Sequence, residues 1–104
     1  MPQIVPLQAV PSQIVSVGLG DQVCQIKVYQ KFYGLFVDLY VDDSLIIAGV
    51  IGENLNRIVR SAYLGFEGDL CFFDFEGAED PRYEGLGTRF ALVYLTQAEL
   101  DGAG

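Results

Sequence analysis

QVCQIKVYQKFYGLFVDLYVDDSLIIAGVI, residues 22–51, sets the fold class. Cys24, Ile26 and Val28 alternate with Gln25, Lys27 and Tyr29, the period-two pattern of a strand with one buried face. After a break at residues 30–34 the alternation resumes. Leu35, Val37, Leu39 and Val41 take one face, and Phe36, Asp38, Tyr40 and Asp42 the other. Asp42-Asp43-Ser44 reads as a polar turn and residues 45–51 as a further apolar run, so 35–41 and 45–51 form a tight hairpin. Gly49 inside the second strand marks a bulge or a close backbone approach. Tyr29, Phe36 and Tyr40 lie opposite the aliphatic stripes, where they either pack a second layer or offer contact area to another subunit.

Upstream, Val15, Val17 and Leu19 alternate with small or polar residues over 14–19, and Gly18, Gly20 and Asp21 supply a turn. Pro2, Pro6 and Pro11 punctuate residues 1–12, forbidding helix and disfavouring a central strand. Ile4, Leu7 and Val10 within them mark an arm that docks on its own sheet or on a neighbouring subunit. Downstream, residues 70–75 and 90–95 are apolar, aromatic-rich strands flanking a long acidic, glycine-rich loop. Residues 53–62 are the one candidate helix, with Leu55, Ile58, Val59 and Ala62 at helical spacing. The segment is short and carries two Asn, leaving a single turn or an irregular connection as equal alternatives. Thr96 is placed as an N-cap for one more turn over 96–100, and residues 101–104 as a frayed end. The expected fold is all-β: a small antiparallel barrel or sandwich of six to seven strands with at most one short helix, residues 1–104 forming a single domain with a 1–12 arm.

The 104 residues, 51% hydrophobic, suffice for one core. The apolar fraction is high for a small monomer and favours burial against partner chains. A net charge of −8, with only Lys27, Lys31, Arg57, Arg60, Arg82 and Arg89 as cations, argues against binding nucleic acid through its phosphates. Cys24 and Cys71 follow no metal spacing, and each sits in a strand-like apolar run, so both are expected reduced and buried. Residues 1–13 lack the basic region and apolar core of a signal peptide, and residues 45–51 are too short an apolar run to span a bilayer. The expectation is a soluble chain without membrane insertion.

Chemistry is sparse. With no His, the Ser-His, Cys-His and His-metal arrangements are excluded, and no cofactor or catalytic residue is assigned. Asp74, Glu76, Glu79, Asp80 and Glu84 invite a divalent-cation reading, but DFEGAEDPRYE lacks the ligand spacing of an EF-hand loop. Gly85-Leu86-Gly87-Thr88 lacks the frame and the lysine of a phosphate loop. What remains is contact. Ile4 and Leu7 in the arm, Arg57 and Arg60 on one face of the 53–62 segment, and Asp80, Tyr83 and Leu86 in the long loop are the candidate partner-contact residues. The two arginines are also placed to pair with the acidic loop, within the chain or across an interface. The alternative is a small β module binding a metal or small ligand at residues 74–84.

Taken in order, IVPLQAVPSQ, CQIKVYQK, GLFVDLYVDD, IIAGV, NRIVRSAYLGFEGDLCFFDFEG and DPRYEGLGTRFALVYL resemble the small plug family in the baseplates of contractile-tailed bacteriophages, including cyanophages. The likeness runs from Ile4 to Leu95, and YLGF-GDL-F-D-x-x-G followed by DP-x-Y-x-GLG-x-R carries most of it. The resemblance implies a β-rich structural protein of the virion, on the tail axis where the tube meets the central spike. Copies of itself in a ring, sixfold by similarity to tube-end proteins, together with tail tube, hub and spike proteins, are the implied partners. It implies no catalytic residue.

Overall fold

The computed structural model describes residues 3–60 and 66–102. Seven strands form: β1 (Gln3–Val5), β2 (Ser12–Leu19), β3 (Gln22–Lys31), β4 (Gly34–Val41), β5 (Ser44–Ile51), β6 (Asp69–Asp74) and β7 (Phe90–Leu95). They make two antiparallel sheets, a four-stranded meander ordered β2-β3-β4-β5 and a three-stranded sheet ordered β1-β7-β6. The sheets pack face to face as a sandwich, and no closed barrel forms.

The alternation in the sequence decides which side chains fill the space between them. Cys24, Ile26, Val28, Leu35, Val37 and Leu39 project from the meander, while Leu70, Phe72, Leu92, Tyr94, Phe90 and Val5 project from the opposite sheet. Tyr29, Phe36 and Tyr40 lie half-buried on the meander's outer face. There Tyr29 stacks on Phe36 at 6.0 Å, with the Lys31 ammonium over both rings.

The β4–β5 hairpin turns on Asp42 and Asp43 alone, Val41 pairing with Ser44. Both aspartates adopt positive φ, 49° and 67°, the pattern of a type I′ turn. Two register shifts interrupt the β4–β5 ladder, placing extra residues in β5. Gly49, at φ +67°, sits at one of them, its N–H donating to Asp38 Oδ1 at 2.7 Å while the Tyr29 hydroxyl donates to the same oxygen at 2.8 Å.

The arm docks on its own sheet. Gln3, Ile4 and Val5 pair with Tyr94, Val93 and Leu92 of β7, an edge position that a proline-flanked strand tolerates. Val5 and Leu7 are buried, and the Leu7 carbonyl passes where a Cβ on Gly87 would lie, at 2.7 Å. Gly87, at φ +84°, is therefore required by both conformation and space.

Residues 53–60 are an irregular strap, and Ala62 of the candidate helix lies outside the described residues. The helical bonds are lost because β6 offers better partners: Leu55 N–H donates to the Phe72 carbonyl and Ile58 N–H to the Leu70 carbonyl, both at 2.9 Å. Leu55 and Arg60 turn through positive φ, which throws Leu55 outward while Ile58 and Val59 enter the core. A short helix, α1 (Gln97–Gly102), follows β7. It is opened by a capping box in which Thr96 Oγ1 accepts from Glu99 N–H at 3.2 Å and Glu99 Oε1 accepts from Thr96 N–H at 2.9 Å.

Candidate interaction surface

Asp74, the last residue of β6, organises the acidic loop. Its buried carboxylate takes a two-pronged contact from Arg89, Nε to Oδ1 and Nη2 to Oδ2, both at 2.8 Å. It also accepts Glu76 N–H and Glu79 N–H, both at 2.9 Å. The Arg89 hydrogen bonds, helped by those two N–H groups, hold the Asp74 carboxyl well below the usual carboxylate range, and the same contact pushes the guanidinium up. Arg89 Nη2 also reaches Glu79, and both Arg82 and Arg89 lie over the Phe90 ring. A carboxylate so fully bonded and so acidic is the opposite of a general base poised near neutrality.

The rest of the loop is tied down by amides. Asp80 Oδ1 accepts Asn54 N–H at 3.0 Å, Asn54 Oδ1 accepts Asp74 N–H at 3.1 Å, and Gln30 Oε1 accepts Tyr83 N–H at 3.1 Å. Among the described residues, no three of His, Cys, Asp and Glu converge on a point where a metal ion could sit. The loop's shape thus comes from ion pairs and main-chain N–H hydrogen bonds inside the chain.

Asp69, the first residue of β6, does the same for the strap. It is buried, and Oδ1 accepts the N–H groups of Ile58, Val59 and Leu70 at 3.1, 2.8 and 2.7 Å. Oδ2 accepts Arg60 N–H at 2.8 Å and Arg57 Nε at 3.0 Å. Arg57 therefore pairs with Asp69 and not with the acidic loop. Arg60 Nε donates to the Arg57 carbonyl, leaving its charge exposed at the surface.

Between these two anchors, the outer face of the three-stranded sheet is apolar. Leu70, Phe72 and Asp74 point inward, so Cys71 and Phe73 point outward with Phe75 just beyond. Phe73 and Phe75 meet edge to face at 5.1 Å. With Ile4, Val93, Leu95 and strap residue Leu55 they line an open hollow. Leu55 and Phe75 remain 61% and 57% exposed. A second apolar feature stands at the β3–β4 hairpin tip, where Phe32 and Tyr33 are 94% and 83% exposed and pack edge to face at 5.2 Å. They rise beside a groove whose other wall is residues 78–82.

Of the partner-contact candidates, Ile4 is on the apolar face, Arg57 and Arg60 border it through Leu55, and Asp80 is exposed beside the hairpin tip. Tyr83 is half-buried against the core, while Leu7 and Leu86 are inside it. The sequence reading did not single out Phe32, Tyr33, Leu55, Phe73 or Phe75 as contact residues. The period-two alternation through DLCFFDF was the available signal for Phe73 and Phe75. Both cysteines are free and buried, and burial pushes both thiols up. No helix among the described residues is long and apolar enough to cross a membrane.

No curated protein matches the chain. A family described as the cyanophage baseplate Pam3 plug gp18 matches residues 1–97, spanning both sheets, the strap and the acidic loop. The chain therefore belongs to the cyanophage baseplate plug family, structural components of the virion's tail baseplate that associate with other baseplate and tail proteins.

Proposed function

We propose that this chain closes the tail tube of a contractile-tailed phage where the tube meets the hub. It acts as a ring, six copies by similarity to tube-end proteins, held by contacts among copies and with tube, hub and spike proteins. Family membership supports the setting. The observation that carries the mode of action is the apolar outer face of the three-stranded sheet, with Ile4, Leu55, Phe73 and Phe75 exposed on a folded chain. A patch of this kind marks a surface that meets another protein. The loop beside it is held by Arg89–Asp74 and Asp80–Asn54 contacts, so little ordering entropy is lost on docking. A net charge of −8 suits a wall that DNA passes without adhering.

Quantitative mass spectrometry of purified tails tests the reading. A fixed low copy number per tail is expected, near six for a single ring. Particles lacking the chain, with all of it soluble in the lysate, would refute the proposal.

A further inference from the structure

The chain carries two uncharged apolar features that differ in shape. One projects: the Phe32–Tyr33 tip, two rings almost wholly in solvent that meet edge to face. The other recedes: the hollow lined by Ile4, Leu55, Phe73, Phe75, Val93 and Leu95. They sit on different sheets, the tip at the β3–β4 turn of the meander and the hollow on the outer face of β1-β7-β6.

Each border keeps one charged side chain without an opposite partner among the described residues, an acid beside the tip and a base beside the hollow. The groove beside the tip includes Glu79, Asp80 and Arg82; Glu79 is paired with Arg82 and Arg89, whereas Asp80 has no cation within ion-pair distance among the described residues. The hollow continues through Leu55 into a patch formed with Arg57 and Arg60, the latter without a carboxylate partner among the described residues. Building on the self-association in the proposed function, we infer that the Phe32–Tyr33 tip of one copy inserts into the Leu55–Phe73–Phe75 hollow of the next, with Arg60 facing the other copy's Asp80. This chain is strongly acidic, so a contact between copies is favoured where acids meet the few cations.

The contact joins two different surfaces and is therefore head-to-tail, the kind that closes into a ring when the rotation between copies allows. Area points the same way. Two aromatic side chains exposed to this extent offer roughly 300–400 Å². With a matching area from the hollow, one contact buries less than the ~1,200 Å² total of a stable pair. A copy that both gives a tip and receives one makes two such contacts, so the closed ring is the stable species and an isolated pair is weak.

Complementary variants test this by sedimentation velocity. Phe32→Ser/Tyr33→Ser removes the tip, and Phe73→Ser/Phe75→Ser opens the hollow. All four positions are exposed, and circular dichroism checks the fold, with Leu55→Ser as a second hollow variant. The wild-type chain is expected to form a closed oligomer. Each double variant alone is expected to associate at least ~30-fold more weakly. Mixed at concentrations well above those at which the wild-type chain closes, the two should form a weak one-to-one pair and nothing larger, because only one intact tip and one intact hollow remain between them. A wild-type oligomer that survives in both variants would overturn the tip-in-hollow contact while leaving self-association standing. A wild-type chain monomeric at every concentration would remove both.

Discussion

Asp69 and Asp74 begin and end the same six-residue strand, and each ties a loop to it. Asp69 gathers three main-chain N–H groups from the strap, the N–H of Leu70 and the Arg57 guanidinium. Asp69→Asn keeps the shape but turns a donor toward Arg60 N–H and Arg57, and is expected to destabilise the chain by about 2–4 kcal/mol in urea unfolding at neutral pH. Asp74 is held below its ordinary pKa by Arg89 in the folded chain and returns to about 3.9 when unfolded, so protons favour the unfolded state. Its contribution is fully present above the unfolded value and is lost as pH falls through that value toward the folded one. Urea midpoints should therefore drop progressively below about pH 5, and Arg89→Gln should flatten that part of the profile. An unchanged profile in the variant would show that other carboxylates set the acid limit. Neither role was legible in the sequence. The partners of Asp69 come from residues 57–60, and Arg89 lies across the loop from Asp74, so no local spacing announces either contact.

Among the elements, β3 and β4 were readable because an alternating strand records its buried face in its own residues. The turn between β4 and β5 was readable too, though not its economy: Asp42 and Asp43 alone reverse the chain, both at positive φ. Replacing them by Asn and Gly, which favour that conformation, is expected to raise stability by about 0.5–1 kcal/mol, measured as a shift of the thermal midpoint without change in the far-UV spectrum. The strap was not decided by sequence. Leu55, Ile58 and Val59 sit at helical spacing, yet the N–H groups of Leu55 and Ile58 bond to β6 carbonyls, a choice made by the neighbouring strand. The hairpin tip was passed over for a related reason. Phe32 and Tyr33 interrupt the alternation and read as a break, and only the fold shows that the break points both rings into solvent.

Across the whole molecule, the sandwich separates side chains that hold the chain together from those available to partners. Phe72 is fully buried between the sheets, whereas Phe75, three residues later, is mostly exposed. Phe72→Ala is expected to cost about 3–5 kcal/mol. Phe75→Ala should change stability by no more than about 0.5 kcal/mol, while weakening any contact made by the hollow. Thermal unfolding of the two variants checks the contrast, and equal losses would place Phe75 in the core. The sandwich class was legible from the alternating strands, but the pairing of β1 with β7 was not, because a main-chain ladder between distant segments leaves no trace in either. That ladder also orders events during synthesis. Residues 12–51 leave the ribosome with all four strands of the meander, whereas Gln3–Val5 has no edge to join until Phe90–Leu95 has emerged. The most N-terminal of these seven strands is therefore among the last to be placed, and a nascent chain halted before residue 90 holds half a sandwich with its apolar inner face open to water.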